Sequence, residues 1–411
     1  MTKFPIDSRL NRNLNDLERR ILNLSGQLYP GLIRVRRHLH ERPELANEEF
    51  ATTQYLKERL QKIGAKIRRI SLPTGIVAEV GGRKKGPTVV IRSDLDALPI
   101  KERTGLSFAS KFPGKMHACG HDAHMTIVFG AACVLSKLKE EFAGNVRFIF
   151  QPSEEQPPGG ATPMIKAGAL AKPKADAILG LHVDPRVAVG KIGLRDGVTM
   201  AAVIDFDLTV TGKSGHAARP QEGVDAIVIA SEIIDSLQKI ISRETDPFEP
   251  LVLTVGKISG GVARNVIARE VVISGTMRAL NIKDANRLPG MVRRIADNIC
   301  RARGAGAKAR LDIIATYPSL SNVPWVNEIF KESFDNLFGK NKVVETEPVL
   351  GGEDFACYLK KVPGAMVRLG IRNSKIGATK YWHSDEFMID ERAIYYGVAL
   401  LTSAALRILK R

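Results

Sequence analysis

The chain has 411 residues, of which 44% are hydrophobic and 26% charged, and its formal net charge is +17 at pH 7. This composition is that of a folded globular protein. The chain is longer than a single domain with one hydrophobic core usually is, so two domains are expected. No apolar run approaches the roughly 18 residues needed to cross a bilayer, which argues against a membrane-spanning protein.

The N-terminal segment and the cysteines both bear on location. The segment MTKFPIDSRLNRN lacks the apolar core of an export signal. The four cysteines are few and scattered, at Cys119, Cys133, Cys300 and Cys357, which argues against a disulfide framework. We therefore expect a reducing, cytoplasmic location and no membrane partner.

The positive charge first raises the possibility of nucleic-acid binding, with RVRRHLH and RARGAGAKAR as the densest clusters. However, basic residues are spread along the whole chain and interleaved with acids, and no basic run exceeds three. We therefore expect no nucleic-acid partner. A solvated cationic surface that favours anionic substrates explains the charge better.

Helical spacing runs from Asn15 to about Ile63, and prolines are expected to break it near LYPG and again at ERPEL. Unbroken apolar runs then alternate with helical segments, in the order TVVIRSDLDAL, HMTIVFGAACVLSKLKEEF, NVRFIFQP and ADAILGLHV. Buried strands separated by helices predict an α/β fold with a mainly parallel sheet covered on both faces.

The pattern changes after GVTMA. A half-exposed strand, AVIDFDLTVTG, is followed by a helix, two strands, a second helix and the strand AKARLDIIATY. This βαββαβ order is the ferredoxin-like α+β arrangement. We therefore predict that residues 197–317 are an inserted domain, and that residues 1–196 and 318–411 form the first domain.

Several segments that follow predicted strands carry metal-ligand residue types. They are RSDLDALP, MHACGHDAHM, FIFQPSEEQPPGG, LGLHVDP and, much later, KYWHSDEF. In open α/β sheets, sites gather just beyond the carboxyl ends of the strands. Asp94 and Asp96 in the first segment are alternate residues of one strand, so both carboxylates are expected to face the same way.

The decapeptide MHACGHDAHM (residues 116–125) admits two geometries. Its three histidines are spaced for one face of a helix, but its central glycine costs about 1 kcal/mol in a helix interior. We therefore expect a loop that holds Cys119 and His121, with a helix that starts at His121 or Asp122. Such a thiolate and imidazole can bind zinc-like ions. The alternative is a polar loop with a helix cap at Asp122 and no metal.

Glu154 and Glu155 are adjacent acids. Neighbouring side chains of an extended segment point to opposite faces, so one glutamate can bind metal while the other acts as general base on a water. Taken singly, these acids are typical of a solvated loop, and His182 and His383 are typical of structural histidines. Their coincidence in successive strand-end segments favours a metal site.

These segments resemble, in order and spacing, the M20 metallopeptidases. The closest branch is the amidohydrolase and carboxypeptidase one, which includes hippurate hydrolases, aminoacylases and auxin-conjugate hydrolases. The likeness spans about residues 30–405. It is carried by RRHLHERPEL, RSDLDALPI, MHACGHDAHM, QPSEEQPPGGA, LGLHVDP, GKSGHAARPQEGVDAI, GGEDFACYL and HSDEF.

The resemblance implies a metallopeptidase domain that binds one or two divalent ions, with Zn²⁺ as the first choice and Mn²⁺ or Co²⁺ as alternatives. The implied metal ligands are Cys119, His121, Glu155, His182 and His383, with Cys119 as a bridge between two ions.

The resemblance also assigns residues around the ligands. Glu154 matches the general base that activates a water at the metal, and Asp96 matches an aspartate that orients a ligand imidazole. His117 and Asp122 are alternative ligands if a single ion binds.

In the same likeness, the insertion is a lid and dimerisation domain. His216 matches a histidine that reaches the neighbouring subunit's active site. Asn265 and Arg278 match polar groups that hold the substrate's terminal carboxylate, for which the planar guanidinium is well suited. Gly351 and Gly352 are expected to let the backbone approach the ligand closely.

Two segments depart from the family pattern. QPSEEQPPGGA carries prolines where relatives usually have glycines, so a stiffer loop and a different pocket are expected. HSDEF carries Asp385 where proline is common, which is expected to add negative charge beside the metal. Both departures bear on substrate preference.

The implied activity is metal-dependent hydrolysis of the amide bond of N-acyl amino acids and of C-terminal residues of peptides, by a homodimer or higher homo-oligomer. Within the enzyme class, the alternative is a narrow-specificity N-acyl-amino-acid deacylase or deacetylase. Outside it, the alternatives are an inactive binding protein of the same fold and a nucleic-acid-binding protein.

Overall fold

The structure is a computed structural model that describes residues 14–304 and 306–411. The segment MTKFPIDSRLNRN, considered above for an export signal, lies outside the described residues. The chain divides into two compact units. Unit 1 comprises Met1–Gly197, Asn322–Glu347 and Cys357–Arg411, and unit 2 comprises Val198–Ser321 and Pro348–Ala356.

The helices of the described residues are, in chain order, α1 (Asp16–His40), α2 (Phe50–Lys62), α3 (His121–Lys137), α4 (Ala161–Lys166), α5 (Ala226–Arg243), α6 (Ile282–Ala302), α7 (Pro324–Phe338), α8 (Phe355–Leu359) and α9 (Arg392–Leu409). The strands are β1 (Lys66–Arg68), β2 (Ile76–Gly81), β3 (Thr88–Asp94), β4 (Asn145–Gln151), β5 (Ala177–Ala188), β6 (Ile192–Leu194), β7 (Gly197–Met200), β8 (Ala202–Thr211), β9 (Leu251–Gly260), β10 (Glu270–Ala279), β11 (Lys308–Tyr317), β12 (Leu320–Asn322), β13 (Val343–Glu345) and β14 (Gly364–Arg372).

Unit 1 is built on an eight-stranded sheet in the order β1-β2-β4-β3-β5-β14-β6-β13. Its centre, from β4 through β3 and β5 to β14, is parallel. Antiparallel pairs occur towards the edges, at β1-β2, β2-β4 and β14-β6. The predicted α/β fold with a mainly parallel sheet is therefore confirmed, while the antiparallel flanks were not predicted. The central strands are buried on both faces, which explains their unbroken apolar runs.

Helix α1 runs through the LYPG segment with Pro30 in its interior, so the break predicted there is wrong. A proline inside a helix costs about 3 kcal/mol. Here the apolar face continues beyond it, and Leu32 and Val35 are buried in the core of unit 1, which offsets that cost. The break predicted at ERPEL is confirmed, since α1 ends at His40 and α2 begins at Phe50.

The decapeptide adopts the predicted loop followed by a helix. Gly120 has a left-handed φ of 90°, and α3 begins at the next residue, His121. A Cβ at position 120 would lie 2.5 Å from Cγ2 of Val183, so both backbone conformation and packing require glycine. The three histidines of the decapeptide therefore do not share one helical face.

Helix α9 is long and apolar enough to cross a membrane by length and composition alone, but 83% of its 18-residue window is buried inside the fold. It packs against α1 and α3 around the core of unit 1. The helix is apolar all round because protein surrounds it.

Unit 2 contains the order β8-α5-β9-β10-α6-β11, and its four strands form an antiparallel sheet in the order β11-β8-β10-β9. Alternate residues of β8, including Phe206 and Leu208, are buried with Ile229 and Ile233 of α5 in a core of their own. Strand β9 lies at the edge of the sheet, and its second half is exposed.

Candidate metal centre

The central strands of unit 1 position the candidate ligands. Asp94 is the last residue of β3, and His121 is the first residue of α3. His182 lies within β5 and not in a loop after it, because β14 continues its parallel pairing with β5 past this position, to Gly370 opposite Asp184. The loop placement expected for His182 is therefore wrong.

Side chains from four separate segments converge here. Two groups of ligand atoms, each with all members within 4.8 Å of one another, share the thiol of Cys119. They are Cys119, His121 and His182, and Cys119, Glu155 and His383. Sγ of Cys119 lies 3.5 Å from Nε2 of His182, and Nε2 of His383 lies 3.5 Å from Oε2 of Glu155.

Hydrogen bonds orient two of the imidazoles. Nδ1 of His121 donates to the main-chain oxygen of Asp96 at 2.8 Å, and Nδ1 of His182 donates to the main-chain oxygen of Val183 at 2.8 Å. Both rings therefore present Nε2 to the centre. Outer hydrogen bonds of this kind fix the tautomer of metal-binding histidines.

The residues fit a divalent cation. Nε2 of His121 and Oε1 of Glu155 are buried, lack a hydrogen-bond partner among the described residues, and lie 3.7 Å apart. Buried polar atoms are nearly always satisfied, so two facing polar atoms that are too far apart for a hydrogen bond need an explanation. A cation between them supplies one, and the mixture of thiolate, imidazole and carboxylate suits zinc-like ions.

The electrostatics of the cluster also suit a cation. Burial and the charge of Glu155 raise the pKa of the Cys119 thiol well above its usual range. Burial tends to lower the pKa of His121, but the charges of Asp94 and Asp96 outweigh it and raise that pKa to about 10. The acidic surroundings thus keep protons on the Cys119 thiol and the His121 imidazole. A metal ion would displace these protons, because metal binding releases protons from its ligands.

The carboxylate of Asp96 has a role that the sequence did not reveal. Its Oδ1 accepts from the amide of Glu154 at 3.0 Å, and its Oδ2 accepts from the amide of Glu155 at 2.8 Å. Oδ1 also lies 3.5 Å from Nδ1 of His121, whose hydrogen bond goes to the main-chain oxygen of Asp96. One side chain therefore holds both glutamates next to the histidine.

The two glutamates do not face opposite sides as an extended segment would require. Ser153 has a φ of 52°, so the chain turns just before them. As a result, ligand atoms of Glu154, Glu155 and His121 all lie within 4.8 Å of one another. Both carboxyl groups belong to the same site.

Three known proteins are similar to this chain over most of its length. The chain is 40% identical over 388 residues to the N-acetyl-L-cysteine deacetylase of Bacillus subtilis, covering 94% of this chain and 90% of the relative. It is 37% identical over 384 residues to thermostable carboxypeptidase 1 of Saccharolobus solfataricus, covering 93% and 96%. The solved structure of a dinuclear metal-binding peptidase of the M20 family from Bacillus subtilis aligns with a TM-score of 0.80 at 35% identity, covering 93% of this chain and 99% of that one.

Residues 90–407 match the peptidase family M20/M25/M40. The chain belongs to the M20 peptidase family. The predicted family resemblance is thereby confirmed, and the protein is an enzyme that hydrolyses amide bonds with the help of a metal ion.

His124 lies beside this centre, within 4.8 Å of ligand atoms of Asp94 and His121, and no separate role was predicted for it from the sequence. Its Nδ1 donates to Oδ1 of Asp94 at 2.8 Å, and its Nε2 accepts from the amide of Val183 at 2.9 Å. Both ring nitrogens are therefore engaged, which leaves His124 to connect α3 with β3 and β5. Its position three residues after His121, about one turn along a helix, could have indicated from the sequence that the two side chains lie close together.

Asp122 belongs to a different cluster from the ligand groups. Its Oδ2 accepts from Nε of Arg36 and from Nδ1 of His40, both at 2.8 Å, and all three side chains are buried. These contacts of Oδ2 favour a structural role for Asp122 over the expected role as an alternative ligand. Its other oxygen, Oδ1, is buried and has no hydrogen-bond partner among the described residues. His117 is also buried, and both its ring nitrogens lack a hydrogen-bond partner among the described residues. Burial lowers the pKa of His117 to about 4.

Asp385, one of the departures from the M20 pattern, does not leave an unpaired charge. Its Oδ2 lies 3.3 Å from Nε of Arg103, and its main-chain oxygen accepts from the Arg103 amide at 2.7 Å. The expected extra negative charge is therefore offset by a partner from a distant segment.

Unit 2 carries the remaining predicted residues of the M20 likeness. His216 and Asn265 are exposed neighbours, since the amide of Ala217 donates to the main-chain oxygen of Asn265 at 3.1 Å. Arg278 lies on β10. At Gly352 a Cβ would lie 2.3 Å from Cγ2 of Val203, so packing within unit 2 is sufficient reason for glycine there.

Proposed function

We propose that this M20 enzyme hydrolyses the amide bond of N-acyl amino acids and of the C-terminal residues of peptides. The names of two relatives, a deacetylase of an N-acetyl amino acid and a carboxypeptidase, support this substrate class. The observation that carries the chemistry is the pair of buried, unsatisfied atoms, Nε2 of His121 and Oε1 of Glu155, facing each other at 3.7 Å.

The metal ligands we propose are Cys119, His121, Glu155, His182 and His383, with Zn²⁺ as the ion and Mn²⁺ or Co²⁺ as alternatives. Cys119 belongs to both ligand groups, so it would be the thiolate shared by two ions if two bind. When bound, the divalent ions polarise the substrate carbonyl and lower the pKa of the attacking water.

Glu154 is the proposed general base. It takes a proton from the attacking water and later delivers it to the leaving nitrogen, work worth roughly 10²- to 10⁴-fold in rate. The bond from its amide to Asp96 supports this role, because it fixes the main chain that carries the carboxylate. Asp96 is accordingly proposed as the residue that positions both glutamates and the imidazole of His121.

Residues 197–317 are proposed as the inserted ferredoxin-like lid and dimerisation domain, with residues 1–196 and 318–411 as the catalytic domain. The βαββαβ order and antiparallel sheet of unit 2 support the ferredoxin-like assignment. The exposed edge strand β9, with Ile258 at 52% exposure, and Val262 just beyond it at 89%, support association of two copies.

The lid residues we assign to the substrate are His216, from the partner subunit, and Asn265, Arg278 and Gly352. Arg278 and Asn265 hold the free carboxylate, and His216 stabilises the oxyanion of the tetrahedral intermediate. A cytoplasmic location is also proposed. The four cysteines, which all lie among the described residues and form no disulfide there, support it.

The test is hydrolysis of a panel of N-acyl amino acids and peptides by wild type and Glu154→Gln, after chelation and after re-addition of zinc, manganese or cobalt. Glu154→Gln should keep its metal and lose turnover by roughly 10²-fold or more. Substantial residual turnover refutes the base assignment. Activity confined to one N-acyl amino acid would favour a narrow deacylase, which the deacetylase relative makes the second candidate.

The cross-subunit assignment has its own test. His216→Ala and Glu154→Gln chains, each inactive alone, are mixed under conditions that exchange subunits. A heterodimer of the two contains one intact site, so activity should return. If it does not, the proposed sharing of His216 is contradicted.

A further inference from the structure

The turn that carries the two glutamates is held by two buried carboxyl groups. Its three successive amides all donate to side chains from elsewhere. The amide of Ser153 bonds Oε1 of Glu49 at 2.8 Å, while those of Glu154 and Glu155 bond the two oxygens of Asp96 at 3.0 and 2.8 Å. Asp96 is part of the site described above, whereas Glu49 has no assigned role.

Glu49 is not explained by the helix that it precedes. It occupies the N-cap position of α2, yet its side chain makes no capping hydrogen bond. Glu44 provides that cap instead, accepting from the amides of Ala51 at 3.1 Å and Thr52 at 2.7 Å. The carboxyl group of Glu49 is thus directed away from its own helix.

The burial of Glu49 is costly. The residue is 0% exposed, and its Oε2 has no hydrogen-bond partner among the described residues. Burial raises the pKa of this carboxyl group. A half-satisfied buried carboxyl group destabilises a fold, so its presence calls for an explanation outside stability.

Glu49 also fixes a strained part of the chain. Ser153 and Asn47 both have left-handed backbones, with φ of 52° and 65°. Oε1 of Glu49 accepts from the amide of Asn47 at 3.0 Å as well as from Ser153, and Nδ2 of Asn47 donates to Oγ of Ser153 at 3.1 Å. Such conformations persist only when surrounding contacts impose them, and they cluster at functional sites.

We propose that Glu49 is a positioning residue for hydrolysis: by binding the Ser153 amide, it sets the turn that aims the Glu154 carboxylate. This inference rests on the proposed function, in which Glu154 is the general base. Asp96 fixes the amides of both glutamates, and Glu49 fixes the point at which the chain turns towards them.

The test compares three substitutions at one position. Glu49→Gln keeps an oxygen that can accept from Ser153 and should retain most of the activity. Glu49→Ala removes the acceptor, and Glu49→Asp moves it back by the length of one carbon, so both should lower kcat. For Glu49→Ala the loss should be on the order of 10²-fold, because small misplacements of reacting groups have effects of this size. KM and bound metal should stay near wild-type values, since the ligand Glu155 is still held by Asp96.

The matched control is Glu44→Ala, which removes the cap of the same helix and touches no residue of the turn. It should lower thermal stability and leave kcat unchanged. An equal loss of kcat in Glu44→Ala, or no rescue by Glu49→Gln, overturns the proposal in favour of a general structural role for α2.

Should Glu49→Ala fail to fold, Glu49→Asp decides the question, and wild-type kcat in a folded Glu49→Asp enzyme overturns the inference. Glu154→Gln separates the two hypotheses. If Glu154→Gln is inactive and Glu49→Asp is fully active, only the role of Glu49 fails. If Glu154→Gln retains wild-type turnover, the proposed base fails and the positioning role falls with it.

Discussion

Substitution of Asp122 by asparagine tests whether this residue stabilises the fold or binds metal. Asp122 follows His121 directly, yet its carboxylate pairs with Arg36 at 2.8 Å, with side-chain exposures of 0% and 2%. His40, also buried, is the second partner, at 2.8 Å. Asp122→Asn preserves the shape of the side chain and removes its charge.

The expected cost follows from the burial of the pair. Removing one partner of a buried ion pair destabilises a protein by about 3–5 kcal/mol, because the other charge is left uncompensated. Arg36 keeps a second carboxylate, Oε1 of Glu391 at 3.2 Å, so we expect a value near the lower limit. About 3 kcal/mol corresponds to a fall in melting temperature of roughly 5 °C for a unit of about 280 residues, at about 2.1 cal/mol/K of unfolding entropy per residue.

Thermal melting followed by circular dichroism, together with elemental analysis, gives the answer. Asp122→Asn should melt lower and bind as much metal as wild type. Glu141→Gln is the control, since its pair with Arg20 has exposures of 37% and 42% and is worth at most about 1 kcal/mol. An Asp122→Asn protein that loses metal would refute the reasoning and restore Asp122 as a ligand.

Three further outcomes are expected. Burial lowers the pKa of His40, but the hydrogen bond and charge of Asp122 outweigh it and raise that pKa above its ordinary value. The charge of His40 therefore adds stability that is complete below about pH 6.5 and is lost as the pH rises through the raised pKa. The melting-temperature difference between wild type and His40→Gln should accordingly shrink with rising pH, and a difference that grows would contradict this. Asp96→Asn should lower kcat roughly 10- to 10²-fold, because one of two amide bonds to a charged acceptor, worth about 1.5–3 kcal/mol, is lost. Asp176→Asn, which removes the charge of a carboxylate bonded to a β3 amide at 2.7 Å outside the site, should leave kcat unchanged, and equal losses in both variants would argue against a specific role for Asp96. Chelation should lower the melting temperature and re-addition of metal should restore it, since a ligand at 100 times its Kd stabilises the folded state by about 2.7 kcal/mol. A melting temperature that does not change with metal would contradict the proposed set of metal ligands.

The features that could be predicted from sequence are those set by short-range patterns. Unbroken apolar runs identified the parallel strands. The glycine at position 120 placed the start of α3 at His121 or Asp122, and the helix begins at His121. The candidate ligands were recognisable because each lies in a short segment rich in metal-binding residue types. Local spacing nevertheless failed at Pro30, where packing of the whole helix outweighs one missing hydrogen bond.

The sequence by itself determined the family, the mainly parallel sheet and the segments that could supply ligands, because these depend on residue types at short spacing. Only the tertiary structure decided which side chains meet. Asp122 pairs with Arg36, 86 positions away, and Glu49 reaches Ser153 across 104 positions. Such contacts follow from how strands and helices stack, and no local pattern encodes that stacking, so the partners of the buried charges emerge only when the chain is folded.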